Sequence, residues 1–202
     1  MNPKVICINL KRRTDRKKEA IEEFSRAGIT GVEFYEAVDN QENGMAGLHQ
    51  TMIDIFNKYR GQELLIFEDD VRFRFTWNYY SAMIDQYLPK DFFLFYLGGN
   101  ATEKVHGTAY DPIRSVTGGF MCSHAILYSA YATEVLAANM EMPEVVDRTN
   151  TYDVFLSKSI QPNFKCYVAY PAIASQKYGY SDICKFDVNY DYFNKKSQQF
   201  YS

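Results

Sequence analysis

The chain has 202 residues, enough to bury a sizeable core in one α/β domain, while two domains would be a tight fit. Its 47% apolar and 23% charged content is that of a soluble globular protein, and a net charge of −3 speaks against a general nucleic-acid binder, which needs a basic face. No apolar run approaches the length of a membrane span, and the first five residues lead straight into a strand with no cleavable signal. Cys7, Cys122, Cys166 and Cys184 form no C-x-x-C pair, so a zinc site is not expected and reduced thiols in a cytoplasmic protein are. The aromatic share of 16% suits a large core and a surface able to stack on flat ligands.

Residues 4–10 (KVICINL) read as a β-branched strand, followed at once by Lys11, Arg12, Arg13 and Arg16. Thr14 is placed to cap a helix presenting Ala20, Ile21, Phe24 and Ala27, ended by Gly28. Strand, basic loop and helix start make either an anion site or a solvated basic helix end. Residues 32–38 (VEFYEAV) read as a second strand. Asp39 just past it is either a ribose- or base-binding carboxylate or a turn residue. Gly44 and Gly47 lead into a helix whose apolar face is Leu48, Met52, Ile55, Phe56 and Tyr59.

The run Leu64, Leu65, Ile66, Phe67 predicts a buried strand, and Glu68, Asp69 and Asp70 follow it without a spacer. Strand, helix, strand, helix, strand predicts a parallel sheet, and ligands bind such sheets at the carboxyl ends of the strands. Three adjacent anions repel one another unless a cation or donor sits among them. The cluster is therefore either a site for Mn²⁺ or Mg²⁺ with a phosphorylated substrate, or a solvated acidic turn.

Beyond it, residues 71–75 alternate as a short strand or extended loop. A helix follows from Thr76 to about Leu88, then an apolar strand at 92–97. Residues 101–117 look like a long loop, and 120–128 (FMCSHAILY) like one strand. Ser129 caps a helix to Asn139 with Tyr131, Val135 and Leu136 inward, and Asn150 or Thr151 caps a short helix carrying Asp153. Residues 164–170 are the last strand expected, and 172–183 read as irregular. Among the histidines, His124 reads as a hydrogen-bonded core residue, His49 as a possible donor contact, and His106 as a loop residue. One catalytic domain, 1–185, is expected, followed by a polar Tyr/Asn-rich tail, 186–202, that wraps the surface or is partly disordered.

Several blocks in order resemble glycosyltransferase family 25, the lipooligosaccharide and collagen galactosyltransferase group. They are Ile8-Asn9-Leu10 with Arg13, Asp15 and Arg16; Glu36-Ala37-Val38-Asp39; residues 65–70 (LIFEDD); Tyr96-Leu97-Gly98; Asp153 with Leu156; and Tyr170-Pro171 with Gln176 and residues 179–183 (GYSDI). The chain departs from the family at 47–52 (GLHQTM), where a Gly-Cys and Ser-His pattern is usual, which marks it as a divergent member. The resemblance implies a GT-A fold, a mostly parallel sheet flanked by helices. It also implies an inverting, metal-dependent transfer of a hexose, galactose or glucose, from a UDP-sugar to a hydroxyl of a glycan acceptor.

By the same resemblance Glu68 and Asp70 would hold the metal, and Asp69 would ligate it too or bond the donor ribose. Asn9, Leu10, Arg13, Arg16, Ala37 and Asp39 would line the nucleotide end. An inverting reaction needs a carboxylate to take the acceptor proton. Asp153 is the candidate base, with Asp147 and Asp182 as alternatives; equally, Asp153 could be a first-turn carboxylate favoured by the helix dipole. The competing readings are a catalytically silent nucleotide-sugar-binding module and a metal-dependent phosphohydrolase, the latter requiring further carboxylates or histidines at the same strand ends.

Overall fold

A computed structural model describes residues 2–108 and 110–201, with backbone alone at 191–194. In chain order the elements are β1 (Lys4–Asn9), α1 (Thr14–Ala27), β2 (Glu33–Glu36), α2 (Gly44–Lys58), β3 (Leu64–Glu68), β4 (Val71–Phe73) and α3 (Trp77–Tyr87). Then come β5 (Leu94–Tyr96), β6 (Asn100–Ala101), β7 (Ile113–Val116), β8 (Phe120–Met121), β9 (Ala125–Tyr128), α4 (Ala130–Asn139) and α5 (Tyr152–Phe155). A π-helical turn, Leu156–Ile160, continues α5. The remainder is β10 (Cys166–Ala169), β11 (Ala174–Gln176), β12 (Gly179–Ser181), β13 (Phe186–Val188) and α6 (Tyr190–Ser197).

Seven strands form the central sheet in the order β2-β1-β3-β9-β5-β10-β7. β1 runs parallel to both β2 and β3, as the alternating strands and helices require, and β10 is parallel to β5. β9 is antiparallel to β3 and β5, and β7 to β10, so five strands share one direction and two oppose it. The fold is thus α/β with a mostly parallel sheet, as expected.

Helices cover both faces, which is why the strands read as continuous apolar runs rather than alternating ones. Along β3 the side chains alternate. Leu64 and Ile66 pack with Met52, Ile55 and Phe56 of α2 and with Leu136 of α4, while Leu65 and Phe67 pack with Phe24 of α1 and Ile84 of α3. Period-2 alternation thus separates two cores, one on each side of the sheet.

Local readings differ from the structure in instructive ways. Residues 120–128 are not one strand: β8 leaves to pair with β6, and β9 enters the sheet only after a turn at 122–124. The presumed loop 101–117 contains β7, which forms the sheet's edge, and 172–183 contains β11 and β12. Ile21 and Tyr131 satisfy helical spacing but are half or more exposed, although the Tyr131 ring meets Phe93 edge-on at 5.7 Å between centres. Thr14 is the first helical residue, with Arg13 at the cap position and no side-chain cap. Ser129 and Thr151 do cap, accepting from Ala132 N and Val154 N.

Of the polar tail, only Ser202 lies outside the described residues. Its β13 pairs with β12. Ala101 N donates to Ser197 Oγ at 2.7 Å and Val105 N donates to Phe200 O at 2.8 Å. The buried Arg114 donates to Tyr201 O and stacks its guanidinium 3.5 Å from the Tyr170 ring centre. Among the described residues no helix is long and apolar enough to cross a membrane.

Gln161 is fully buried and satisfies three groups. Its Oε1 accepts from Phe120 N at 3.1 Å, and its Nε2 donates to Tyr96 Oη at 2.8 Å and Phe120 O at 2.7 Å. Gln161→Leu removes these partners and leaves buried polar atoms unpaired. It should lower unfolding free energy by about 3 kcal/mol in urea titrations.

Candidate functional site

The parallel register puts the carboxyl ends of β1, β2 and β3 on one edge, with Ile8 opposite Glu68 and Asn9 opposite Glu36. β9 runs the other way, so its start lies on that same edge, with Ala125 opposite Phe67 and Glu68 N donating to His124 O at 3.0 Å. Residues far apart in the chain therefore converge. A cavity of about 100 Å³ opens there. Its walls include Asn9, Leu10, Arg16, Ala37, Asp39 and all of Glu68, Asp69 and Asp70.

The three acids differ in what holds them. Both oxygens of Asp69 are occupied: Arg16 Nη1 donates to Oδ1 at 2.8 Å and Asn9 Nδ2 donates to Oδ2 at 2.8 Å. Asp70 has only long partners, Gln176 Nε2 at 3.4 Å from Oδ1 and Arg16 Nη1 at 3.5 Å from Oδ2. Glu68 Oε1 accepts from Ser123 Oγ at 3.0 Å. Burial drives the Glu68 carboxyl well above its usual range, with Asp70, Asp153 and Asp69 adding repulsion. Burial also raises Asp70, to about 6, with Arg16 pulling against it. Asp69 is spent on holding Arg16 and Asn9, whereas Asp70 retains lone pairs beside the cavity.

Among the described residues no three His, Cys, Asp or Glu side chains are grouped so as to hold a metal by themselves. Two carboxylates, Glu68 and Asp70, remain beside the cavity. One or two carboxylates completed by substrate phosphates is the oxygen set that Mg²⁺ takes. The residues fit a hard divalent cation in that manner.

The basic loop is not a free anion trap. Arg12 Nε donates to Asp39 Oδ2 at 2.8 Å and its Nη2 pairs with Asp182 Oδ1 at 2.8 Å. Arg13 does not line the cavity; it pairs with Asp15 and with Asp182, a wall residue. These guanidinium groups hold the Asp182 carboxyl below its usual range against the effect of burial. Asp182 therefore has no spare basicity for proton transfer. Asp147 is exposed and consumed by its own turn, accepting from Thr149 N and Oγ1 at 2.7 Å each.

Asp153 is close enough to Glu68 to add repulsion there, but it is not one of the residues that wall the cavity. Its Oδ2 accepts from Cys122 N at 3.1 Å, the Ser123 hydroxyl lies within bonding reach, and its Oδ1 is buried without a partner. Burial raises its pKa. Cys122 has φ of 77°, a left-handed conformation costly for a residue with a Cβ, and this turn aims its N–H at Asp153. His49 is buried, with Nε2 at 3.2 Å from Glu141 O, and forms no part of the cavity wall. His124 is buried, and burial pushes its imidazolium down to about 4, so the ring is neutral.

Ser123 and Tyr190 join the site without any expectation from the sequence, while Ser181 and Ile183 wall the cavity from the block at 179–183. The polar Cys-Ser-His interruption of an apolar run was the available signal for the first. Tyr190, from the tail, reaches the cavity wall beside Asp70 and Glu68, and nothing local in the sequence announces it. The wall also needs Gly44, because a Cβ there would lie 2.8 Å from Asp182 O and 2.9 Å from Ile183 Cα.

No family model matches the chain. It is 31% identical over 97 residues to R655 of Acanthamoeba polyphaga mimivirus, a protein named provisionally as a glycosyltransferase. That match covers 36% of this chain and 30% of that protein, so the chain spans under a third of its relative's length. A solved glycosyltransferase involved in glycosylation of the major capsid of PBCV-1 shares the fold at a TM-score of 0.51 and 14% identity, over 90% of this chain and 95% of that one. A second solved structure, A197 from STIV, overlaps at a TM-score of 0.45 and 8% identity, over 90% of this chain and 87% of that one.

Ionised Asp70 is disfavoured in the folded state. Its proton is bound more tightly there than in the unfolded chain, so its contribution to stability falls as pH rises from the ordinary carboxylate range through about 6. Without divalent cations, Asp70→Asn should be more stable than the parent at pH 8, by up to about 3 kcal/mol, with the gap closing near pH 4. Urea denaturation across that range in chelator measures it.

Proposed function

We propose that the chain is a glycosyltransferase, a divergent relative of family 25, that moves a hexose from a UDP-sugar to a hydroxyl of a glycan acceptor with inversion and with a divalent cation, Mn²⁺ or Mg²⁺. The observation that carries this reading is the convergence of Glu68, Asp70 and Asp153 at one sheet edge, beside a cavity walled by Asn9, Ala37 and Asp39. Similarity to glycosyltransferases in sequence over 97 residues and in fold supports it.

The nucleoside end of the donor takes the cavity at Leu10, Ala37 and Asp39, with Arg12 fixing the Asp39 carboxylate. Glu68 and Asp70 would hold the cation, which when bound offsets the negative charge on the diphosphate. Arg16, with Asp69 and Asn9, keeps Asp70 at the cavity edge and contributes a fixed positive charge on that side. Asp153 takes the acceptor proton as the hydroxyl oxygen bonds to the anomeric carbon and the sugar–phosphate bond breaks, its electron pair leaving with UDP. Cys122 N–H holds Asp153 in one orientation for that transfer. Its raised pKa suits a base that must accept a proton near neutral pH.

Two substitutions separate the roles. Asp70→Asn should abolish Mn²⁺-dependent binding of UDP-glucose and UDP-galactose in calorimetry while the circular dichroism spectrum is kept; unchanged binding rules out the metal role. Asp153→Asn should retain donor binding and slow turnover, read as transfer or as release of free sugar, by roughly 10²- to 10⁴-fold. Equal turnover in that variant removes Asp153 as the base.

A further inference from the structure

Tyr190 is the first residue of α6, and the chain on either side of it is anchored. Ahead of it, Val188 is buried and pairs with Gly179 in the β12–β13 hairpin. At the far end of the helix, Ser197 Oγ accepts from Ala101 N at 2.7 Å. These anchors bring Tyr190 to the acid-lined cavity, where it stands in the wall with Glu68, Asp70 and Ile183.

Its hydroxyl is uncommitted. Burial raises the phenol above its ordinary value, and Asp70, Glu68, Cys122 and Cys184 add to the rise. The group stays protonated through the neutral range and is a hydrogen-bond donor there. Among the described residues it has no hydrogen-bond partner. A donor in a cavity wall with no acceptor in the chain is offered to whatever fills the cavity.

The neighbours of Tyr190 decide which part of a ligand it meets. Glu68 and Asp70 are the carboxylates that would hold the cation and, through it, the diphosphate. Cys122, which also acts on the phenol, is the residue whose N–H binds Asp153 Oδ2 at 3.1 Å. The Cys122 thiol in turn accepts from Asn100 Nδ2 at 3.1 Å. Asn100 Oδ1 and Asp153 Oδ1 are both buried without a donor. The surroundings of Cys122 are thus short of donors, which are the groups that sugar hydroxyls bring. In an inverting transfer the diphosphate leaves from one face of the anomeric carbon and the acceptor arrives at the other, so the hexose lies between the cation and the base.

Resting on the glycosyltransferase reading, we propose that Tyr190 is a specificity residue for the donor sugar, its hydroxyl donating to a hydroxyl of the hexose between the cation-holding acids and Asp153. The tail is then part of the donor site and not merely a covering for the sheet.

The test is calorimetry on the full chain with Mn²⁺, using UDP, UDP-glucose and UDP-galactose as titrants. The parent is compared with Tyr190→Phe, which keeps the ring and removes the hydroxyl. UDP should bind both proteins equally. The UDP-hexose that the parent prefers should bind the variant about three- to ten-fold more weakly, the loss expected for one neutral hydrogen bond. Equal weakening of UDP and the UDP-hexose places Tyr190 at the nucleotide, or in a purely structural role, and overturns the proposal. Unchanged binding of all three ligands does the same. A parent chain that binds neither UDP nor a UDP-hexose overturns the glycosyltransferase reading and the sugar contact with it, a result distinct from a variant that differs in neither ligand.

Discussion

Arg16 is the group on which the site's architecture rests. Its guanidinium meets Asp69, approaches Asp70 and donates to Tyr180 O at 2.6 Å, joining α1, the end of β3 and the β12 strand through one side chain. Three consecutive carboxylates at a buried strand end would otherwise repel one another strongly. Arginine suits this task because its planar fork serves several acceptors at once and stays charged when buried. A lysine would supply the charge but not the simultaneous reach to a carboxylate pair and a backbone carbonyl. The cation also sorts the acids: by engaging Asp69 closely and Asp70 distantly, it makes one structural and leaves the other available.

The antiparallel strand β9 is the second constraint. A purely parallel sheet would place only strand ends and following loops at the ligand edge. Inserting one reversed strand between β3 and β5 brings the turn that precedes it, residues 122–124, to the same edge. That turn holds Asp153 through Cys122 N and reaches Glu68 through Ser123 Oγ. The acidic strand end and the helix bearing Asp153 are thus linked by two adjacent residues whose position depends on strand polarity.

Much of this was legible in the sequence, and the divide has physical causes. The buried run ending in Glu68, Asp69 and Asp70 is visible because hydrophobicity and charge change between neighbouring residues, and a parallel sheet fixes which end faces a ligand. Asp39 follows from the same rule applied to β2, whereas Asn9, Leu10 and Ala37 came only from the resemblance to family 25; all four line the cavity. Arg16 was legible as a cation near the anions, but its role as their internal partner was not, since that depends on the angle between α1 and β3. The break at Cys122 was hidden because a cysteine carries no preference for the left-handed conformation that it adopts. Tyr190 was out of reach because its position depends on the packing of the polar tail, where Ser197 and Phe200 fasten to β6 and its following loop.

The clasp on that tail determines how the cavity wall moves. Releasing residues 197–201 would strip the buried Arg114 of the Tyr201 carbonyl and uncover Phe200 and Tyr201, which pack against the core. Such a local opening costs the exposure of those two rings and the loss of one charged hydrogen bond, on the order of a few kcal/mol. The wall contributed by Tyr190 is therefore tied to the sheet through the tail that follows it. Its exchange with solvent is expected to be slower than the fraying of a free terminus.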